Sequence, residues 1–188
     1  MNKHIIISGI SRSGKSTACA KLVKTLGYQH ISMDSILSSL KETLEEPKKD
    51  ELDLFPFDYS KTVAQIINTI IQHNDYDKFG YGMLIDVDNL SPEDYVRYID
   101  RDYADIYFFG TPDLTPQQRF STIRKYDTEY DYTSKASDRE LLEKCKKIVA
   151  QSKEIQKQCK KFDLPFINTS FNREFIINEF VKKVIETH

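Results

Sequence analysis

Cysteine is scarce: Cys19, Cys145 and Cys159 are the three in 188 residues. The count is odd, the spacings are wide and no Cys-x-x-Cys occurs, which argues against a disulfide framework or a zinc site and for buried or half-buried thiols on helices. An excess of one charge is also missing. Twenty-seven basic and 29 acidic residues leave a net charge of -2, with both signs spread along the chain. Neither a nucleic-acid arm nor a polybasic membrane patch is present, so no nucleic-acid partner is expected. Long apolar runs are absent as well. The first, at His4–Ser8, stops at Gly9, too early for a signal-peptide core or a membrane span, and no later segment approaches a span. The expectation is a cytoplasmic protein without membrane contact. With no internal repeat, low-complexity tract or linker, and with 39% apolar and 30% charged residues, the chain suits one domain over residues 1–188. Nothing in it fixes an oligomeric state.

What the chain does have is alternation. Short apolar runs at His4–Ser8, Tyr28–Met33, Met83–Val87, Ala104–Phe109 and Pro165–Asn168 read as strands. Between them lie segments with helical periodicity. Lys15–Leu26 puts Ala18, Leu22, Val23 and Leu26 on one face and closes at Gly27. Asp34–Leu44 follows, broken by Pro47 and the charged run Lys48–Glu51. Phe57–His73 carries Val63, Ile66, Ile67, Ile70 and Ile71 inward, and Gly80 and Gly82 read as a turn. Ser91-Pro92-Glu93-Asp94, Thr115-Pro116-Gln117-Gln118 and Ser137-Asp138-Arg139-Glu140 are three helix starts. In each, a hydroxyl residue stands at the cap and a proline or acid in the first turn. The third opens a long helix to about Lys161, and a last one covers roughly Arg173–Glu186. Five strands alternating with helices predict an α/β three-layer sandwich around a parallel sheet.

The chemistry is concentrated near the start. Gly9-Ile10-Ser11-Arg12-Ser13-Gly14-Lys15-Ser16 matches G-x-x-x-x-G-K-[ST] at every fixed position, between an apolar strand and a helix. Glycines let the backbone turn its N–H groups inward around phosphates, and the helix beginning at Lys15 adds its positive end. Lys15 is expected on the β- and γ-phosphates, the Ser16 hydroxyl on Mg²⁺, and Thr17 near the α-phosphate. Arg12, inside the loop, faces either the nucleotide or solvent. The ligands implied are ATP and Mg²⁺. Such a loop needs a carboxylate at a neighbouring strand end. Asp86 ends the run Met83-Leu84-Ile85 and is preferred, with Asp88 as the alternative. Asp34 follows the second strand, where ligands bind in open α/β sheets; it is read as a substrate ligand or the base for the acceptor hydroxyl, or as a helix N-cap, and one Asp can do both.

On the loop, on Asp34 after the second strand and on the polar segment before the last helices, the chain resembles the P-loop nucleoside-, nucleotide- and shikimate-kinase group. The resemblance implies a five-stranded sheet in the order 2-3-1-4-5 and transfer of the ATP γ-phosphoryl group to a small-molecule hydroxyl or phosphate. It implies a substrate-binding insertion at 34–73, a lid at 125–136, and an adenine-contacting turn at Thr169–Arg173. Arginines around that lid, Arg124 with Arg119 or Arg139, resemble those that clamp transferring phosphates. Two departures stand out. Asp86-Val87-Asp88-Asn89-Leu90 replaces the Asp-Gly-Phe-Pro-Arg of adenylate kinases, and no arginine lies between Ser35 and Lys61, which disfavours a nucleoside monophosphate acceptor. The lid sequence Tyr126-Asp127-Thr128-Glu129-Tyr130-Asp131-Tyr132 is acidic and aromatic, odd for a segment closing on phosphates. The rival reading is an ATP-binding switch or slow ATPase working through a protein partner. A GTP switch is disfavoured, since no Asn-Lys-x-Asp occurs.

Overall fold

A computed structural model describes residues 3–43, 58–73, 82–88, 90–129, 131 and 133–188. The breaker at Pro47 and Lys48–Glu51 and the turn residue Gly80 lie outside them. Five strands, β1 (His4–Gly9), β2 (Gln29–Ser32), β3 (Met83–Asp86), β4 (Ala104–Gly110) and β5 (Phe166–Asn168), form one sheet in the order β2-β3-β1-β4-β5, with every pairing parallel. The helices are α1 (Lys15–Leu26), α2 (Met33–Thr43), α3 (Asp58–Gln72), α4 (Pro92–Tyr98), α5 (Pro116–Tyr126), α6 (Asp138–Phe162) and α7 (Arg173–Thr187). This is the expected α/β three-layer fold around a parallel sheet, with the strand order that the resemblance implies.

The run of isoleucines in β1 explains its place. A strand covered on both faces needs apolar residues at every position, not alternate ones. Ile5, Ile6 and Ile7 are each 0% exposed, and β1 sits between β3 and β4. Ile6 packs with residues of α2, α3 and α6, whereas Ile5 and Ile7 pack with Ala18, Leu22, Ile177 and Phe180 of α1 and α7. Each such side chain stabilises the fold by about 1.5–3 kcal/mol over leaving it in water.

Local signals set the helix ends. Ser91 accepts from the Asp94 amide at 3.1 Å, and both Thr115 and Ser137 form reciprocal capping boxes with Gln118 and Glu140. Gly27 terminates α1 at φ 68°, a left-handed conformation that costs glycine nothing. Strand β2 is shorter than Tyr28–Met33. Tyr28 precedes it and lays its ring on Gly82, and Met33 already belongs to α2, fully buried in the core. Helix α5 runs on through Lys125 and Tyr126, so the non-helical part of the expected lid begins at Asp127. Among the described residues no helix is long and apolar enough to cross a membrane.

Candidate functional site

The C-terminal ends of β1 and β3 lie side by side, because Ile7 pairs with Asp86 in register. The loop between β1 and α1 begins with Gly9 at φ 130°, where a Cβ would stand 2.0 Å from the Phe109 carbonyl oxygen. No other residue fits there. Arg12 and Gly14 follow with φ 57° and 108°. Interrupting the helical sense this way bends the loop into a concave nest whose amides serve anions. The carbonyls are tied down from behind. Ser13 Oγ donates to the Ile10 carbonyl at 2.8 Å, Arg119 Nη2 to the Ser11 carbonyl at 2.7 Å, and Thr169 Oγ1 to the Ser13 carbonyl at 2.7 Å. Arg119 is 1% exposed and Thr169 2%. Both brace the loop from the far side, Arg119 from α5 and Thr169 from the turn after β5.

Lys15 is buried, donates to the Ile10 carbonyl at 2.9 Å and forms an ion pair with Asp88. Burial pulls its pKa down, but Asp88, Asp86 and Asp34 together outweigh burial and hold it above the ordinary lysine value. Ser16 and Thr17 lie exposed on the first turn of α1. Ser16 Oγ donates to Asp86 Oδ2 at 3.4 Å. The segment after β3 is fastened to β1, as the Val87 amide donates to the Ile7 carbonyl and Ser8 Oγ to the Leu90 carbonyl, each at 3.0 Å. This places Asp88 beside Lys15 while Asp86 faces Ser16, so the two carboxylates have different partners.

Asp34 falls within the first turn of α2, after Met33, and the capping oxygen belongs to Ser32, which accepts from the Ser35 amide at 3.4 Å. The Asp34 carboxylate instead accepts from the backbone of Asp88. Loss of water around it and repulsion by Asp88 and Asp86, offset in part by Lys15, push its pKa up to about 6. Loss of water raises Asp86 too, against the pull of Lys15. Three carboxylates thus surround one buried ammonium.

The arginines divide. Arg119 supports the loop. Arg124 is spent on its own neighbourhood: it donates to the Thr133 and Ala136 carbonyls at 3.0 and 2.7 Å and to Asp138 at 2.8 Å, and it stands 3.5 Å from Asp127. Arg139 is exposed on the first turn of α6. Arg12 reaches the segment that follows α5. Its guanidinium holds Asp131 at 2.6 Å, Asp127 at 3.2 Å and the Tyr126 carbonyl at 3.1 Å. The acidity at Asp127 and Asp131 has its reason here: these carboxylates answer Arg12 and Arg124. Hydrogen bonds from Thr128 and the Arg12 charge hold Asp131 below the usual carboxylate range.

Behind the loop, between α5 and the turn after β5, lies a cleft of about 300 Å³ lined by Leu114, Arg119, Tyr126, Thr169, Asn172 and Arg173. It adjoins the nest through Arg119 and Thr169, and Arg173 lies against Gly14. The bracing roles of Arg119 and Thr169 leave no trace in sequence spacing; a buried arginine reads like any other helix-face arginine.

The donor set around Ser16 suits a hard divalent cation. A hydroxyl and a carboxylate oxygen 3.4 Å apart stand close to the separation of about 3 Å that adjacent ligands take around Mg²⁺.

The sequence profile of the AAA domain family matches residues 8–107, more than half of the chain. No curated protein sequence matches it. Among solved structures it is similar to a shikimate kinase from Bacteroides thetaiotaomicron, with 12% identity, TM-score 0.62, and coverage of 98% of this chain and 97% of that one. It is also similar to a sugar kinase from Janibacter sp. HTCC2649 (14% identity, TM-score 0.55, coverage 100% and 96%) and to a gluconokinase from Sinorhizobium meliloti 1021 (12%, 0.53, coverage 98% and 92%). At these identities the likeness is one of fold.

Proposed function

The chain belongs to the AAA domain family, and from that premise we propose that it is an ATP-dependent phosphotransferase acting on a small-molecule hydroxyl or phosphate. The observation that carries this reading is the gathering of Asp34, Asp86 and Asp88 around Lys15 at the ends of the central strands. A nucleotide-binding switch needs the loop and a magnesium carboxylate. It has no use for a further carboxylate with a raised pKa beside them.

The residues take the following roles. The loop amides of residues 10–15 and Lys15 bind the phosphates, and Gly9 and Gly14 give the backbone its path. Ser16 and Asp86 hold Mg²⁺, with Asp88 as the counter-charge that keeps Lys15 in place. Bound Mg²⁺ supplies charge neutralisation on the phosphate oxygens. Asp34, with a pKa of about 6, is ionised at neutral pH yet basic enough to accept the acceptor hydroxyl's proton. The cleft beside Arg173 and Thr169 receives the base. Arg12 and Arg124 hold Asp127, Asp131 and the Thr133 and Ala136 carbonyls, and closure of this segment on the nucleotide excludes water.

The rival reading, an ATP-binding switch or slow ATPase, draws support from the fastening of the acidic segment to Arg12 inside the loop. Such a link lets the state of the loop pass to a surface segment. Lys15→Ala tests the premise common to both: nucleotide binding measured by calorimetry should be lost, and binding at wild-type affinity would remove the loop from the function. Transfer of labelled γ-phosphate from ATP to a panel of hydroxyl compounds then separates them. A labelled acceptor product supports the kinase, and inorganic phosphate alone supports the ATPase.

A further inference from the structure

Two side chains near the loop, Cys19 and His30, are not used by phosphoryl transfer, and they meet Asp86. Cys19 lies on α1 one turn beyond Lys15 and is 2% exposed. His30 is exposed on the edge strand β2, opposite Leu84 of β3. Leu84 packs on the α1 side of the sheet, in the cluster that contains Cys19. Alternation along β3 puts Asp86 on the same face, two residues on, and pairing puts His30 there too. The result is that Cys19 Sγ, a His30 ring nitrogen and an Asp86 carboxylate oxygen all lie within 4.8 Å of one another.

We propose that Cys19, His30 and Asp86 form a binding site for a borderline-soft divalent cation, with Zn²⁺ as the best fit. Ligand atoms of a tetrahedral zinc site stand about 3.5 Å apart. From separations of at most 4.8 Å, closing asks for no more than about 1.3 Å of movement, shared among the three side chains. One sulfur, one nitrogen and one oxygen ligand suit Zn²⁺, which accepts all three, and not Mg²⁺, which takes oxygen ligands only. Cys19 binds as thiolate, its proton passing to solvent. Three protein ligands leave a fourth position for water, the arrangement of an exchangeable site rather than a closed structural one. The spacing 19, 30 and 86 follows no metal motif, which is why cysteine spacing argued against zinc; only the fold brings the three together. A consequence rests on the phosphotransferase reading: Asp86 cannot serve both metals, so Zn²⁺ bound here inhibits Mg²⁺-dependent turnover.

The test uses the full chain, stripped of metal, without nucleotide. Zn²⁺ titrated by calorimetry should bind wild type, and His30→Ala should weaken the affinity by about tenfold or more. Co²⁺ should give sulfur-to-metal charge-transfer absorption in wild type and in Cys145→Ser, and none in Cys19→Ser. Absence of that absorption from wild type, or equal Zn²⁺ affinity in His30→Ala, overturns the site. His30 is exposed, so its variant decides the question even if Cys19→Ser does not fold. Neither readout depends on phosphoryl transfer, so failure of that reading leaves them intact. If transfer is found, weaker Zn²⁺ inhibition of His30→Ala supports the shared use of Asp86, and equal inhibition removes it.

Discussion

At the scale of single residues, Asp34 bears the tension between stability and chemistry. Its carboxyl is pushed up to about 6 from the ordinary value near 4, so the folded protein favours the protonated form more than the unfolded chain does. The sign follows directly: stability from this group is fully present below about pH 4 and is lost as pH rises through about 6. At neutral pH an ionised Asp34 therefore works against folding. Asp34→Asn, which is neutral at every pH, should unfold at a higher temperature than wild type at pH 7, and the difference should vanish near pH 4. If Asp34 is the base, the same variant should lose transfer activity by about 100-fold or more, and wild-type turnover should rise with pH through about 6. A thermal melt series across pH, paired with turnover, checks both. A variant less stable than wild type at pH 7 would show that Asp34 is held by favourable contacts that outweigh its repulsion from Asp86 and Asp88.

Elements were legible in the sequence where their causes are local. The caps at Ser91, Thr115 and Ser137 lie within three residues of the amides they serve, so the sequence displays both partners. The loop could be read because its fixed glycines and lysine are contiguous. Residues 125–136 were not legible in the same way. Their acidity looks wrong for a phosphate lid until Arg12 is seen against Asp127 and Asp131, more than a hundred positions away in the chain. Arg124, which by resemblance stands where a phosphate clamp would, donates to the carbonyls of the segment it precedes. Its removal leaves the Thr133 and Ala136 carbonyls without their charged donor, at a cost of about 1–3 kcal/mol. Arg124→Ala should thus lower the melting temperature and speed amide exchange in 127–136, with nucleotide affinity changed less. Exchange unchanged in that segment would mean that Arg12 alone holds it. Arg12→Ala should release the same residues, since it removes the guanidinium that holds Asp127, Asp131 and the Tyr126 carbonyl.

At the scale of the whole molecule, the parallel sheet makes the separate devices one site. The run of three isoleucines could be read as a strand covered on both faces, and the alternation of strands and helices as a parallel sheet. The order β2-β3-β1-β4-β5 rests on resemblance, because pairing between strands about 80 and 100 residues apart leaves no local mark. That order puts the end of β3 beside β1 on one flank, with Asp86 and Asp88. It puts β4 and β5 on the other, with Thr169 and the cleft. A ligand in the loop therefore bridges both halves of the sheet, and its binding energy adds to the stability of the entire fold. At a hundredfold excess over its dissociation constant such a ligand contributes about 2.7 kcal/mol. A non-hydrolysable ATP analogue with Mg²⁺ should raise the melting temperature of wild type and leave that of Lys15→Ala unmoved. Screening hydroxyl compounds on top of the saturated analogue carries the question further. An acceptor bound beside Asp34 should give a second rise that depends on the analogue, because both then share the charged groups around Lys15. A compound that stabilises the protein equally with and without the analogue binds elsewhere. If instead a protein partner, and no small molecule, produces the analogue-dependent rise, the coupling runs outward through Arg12 and the acidic segment, and the switch reading displaces the kinase.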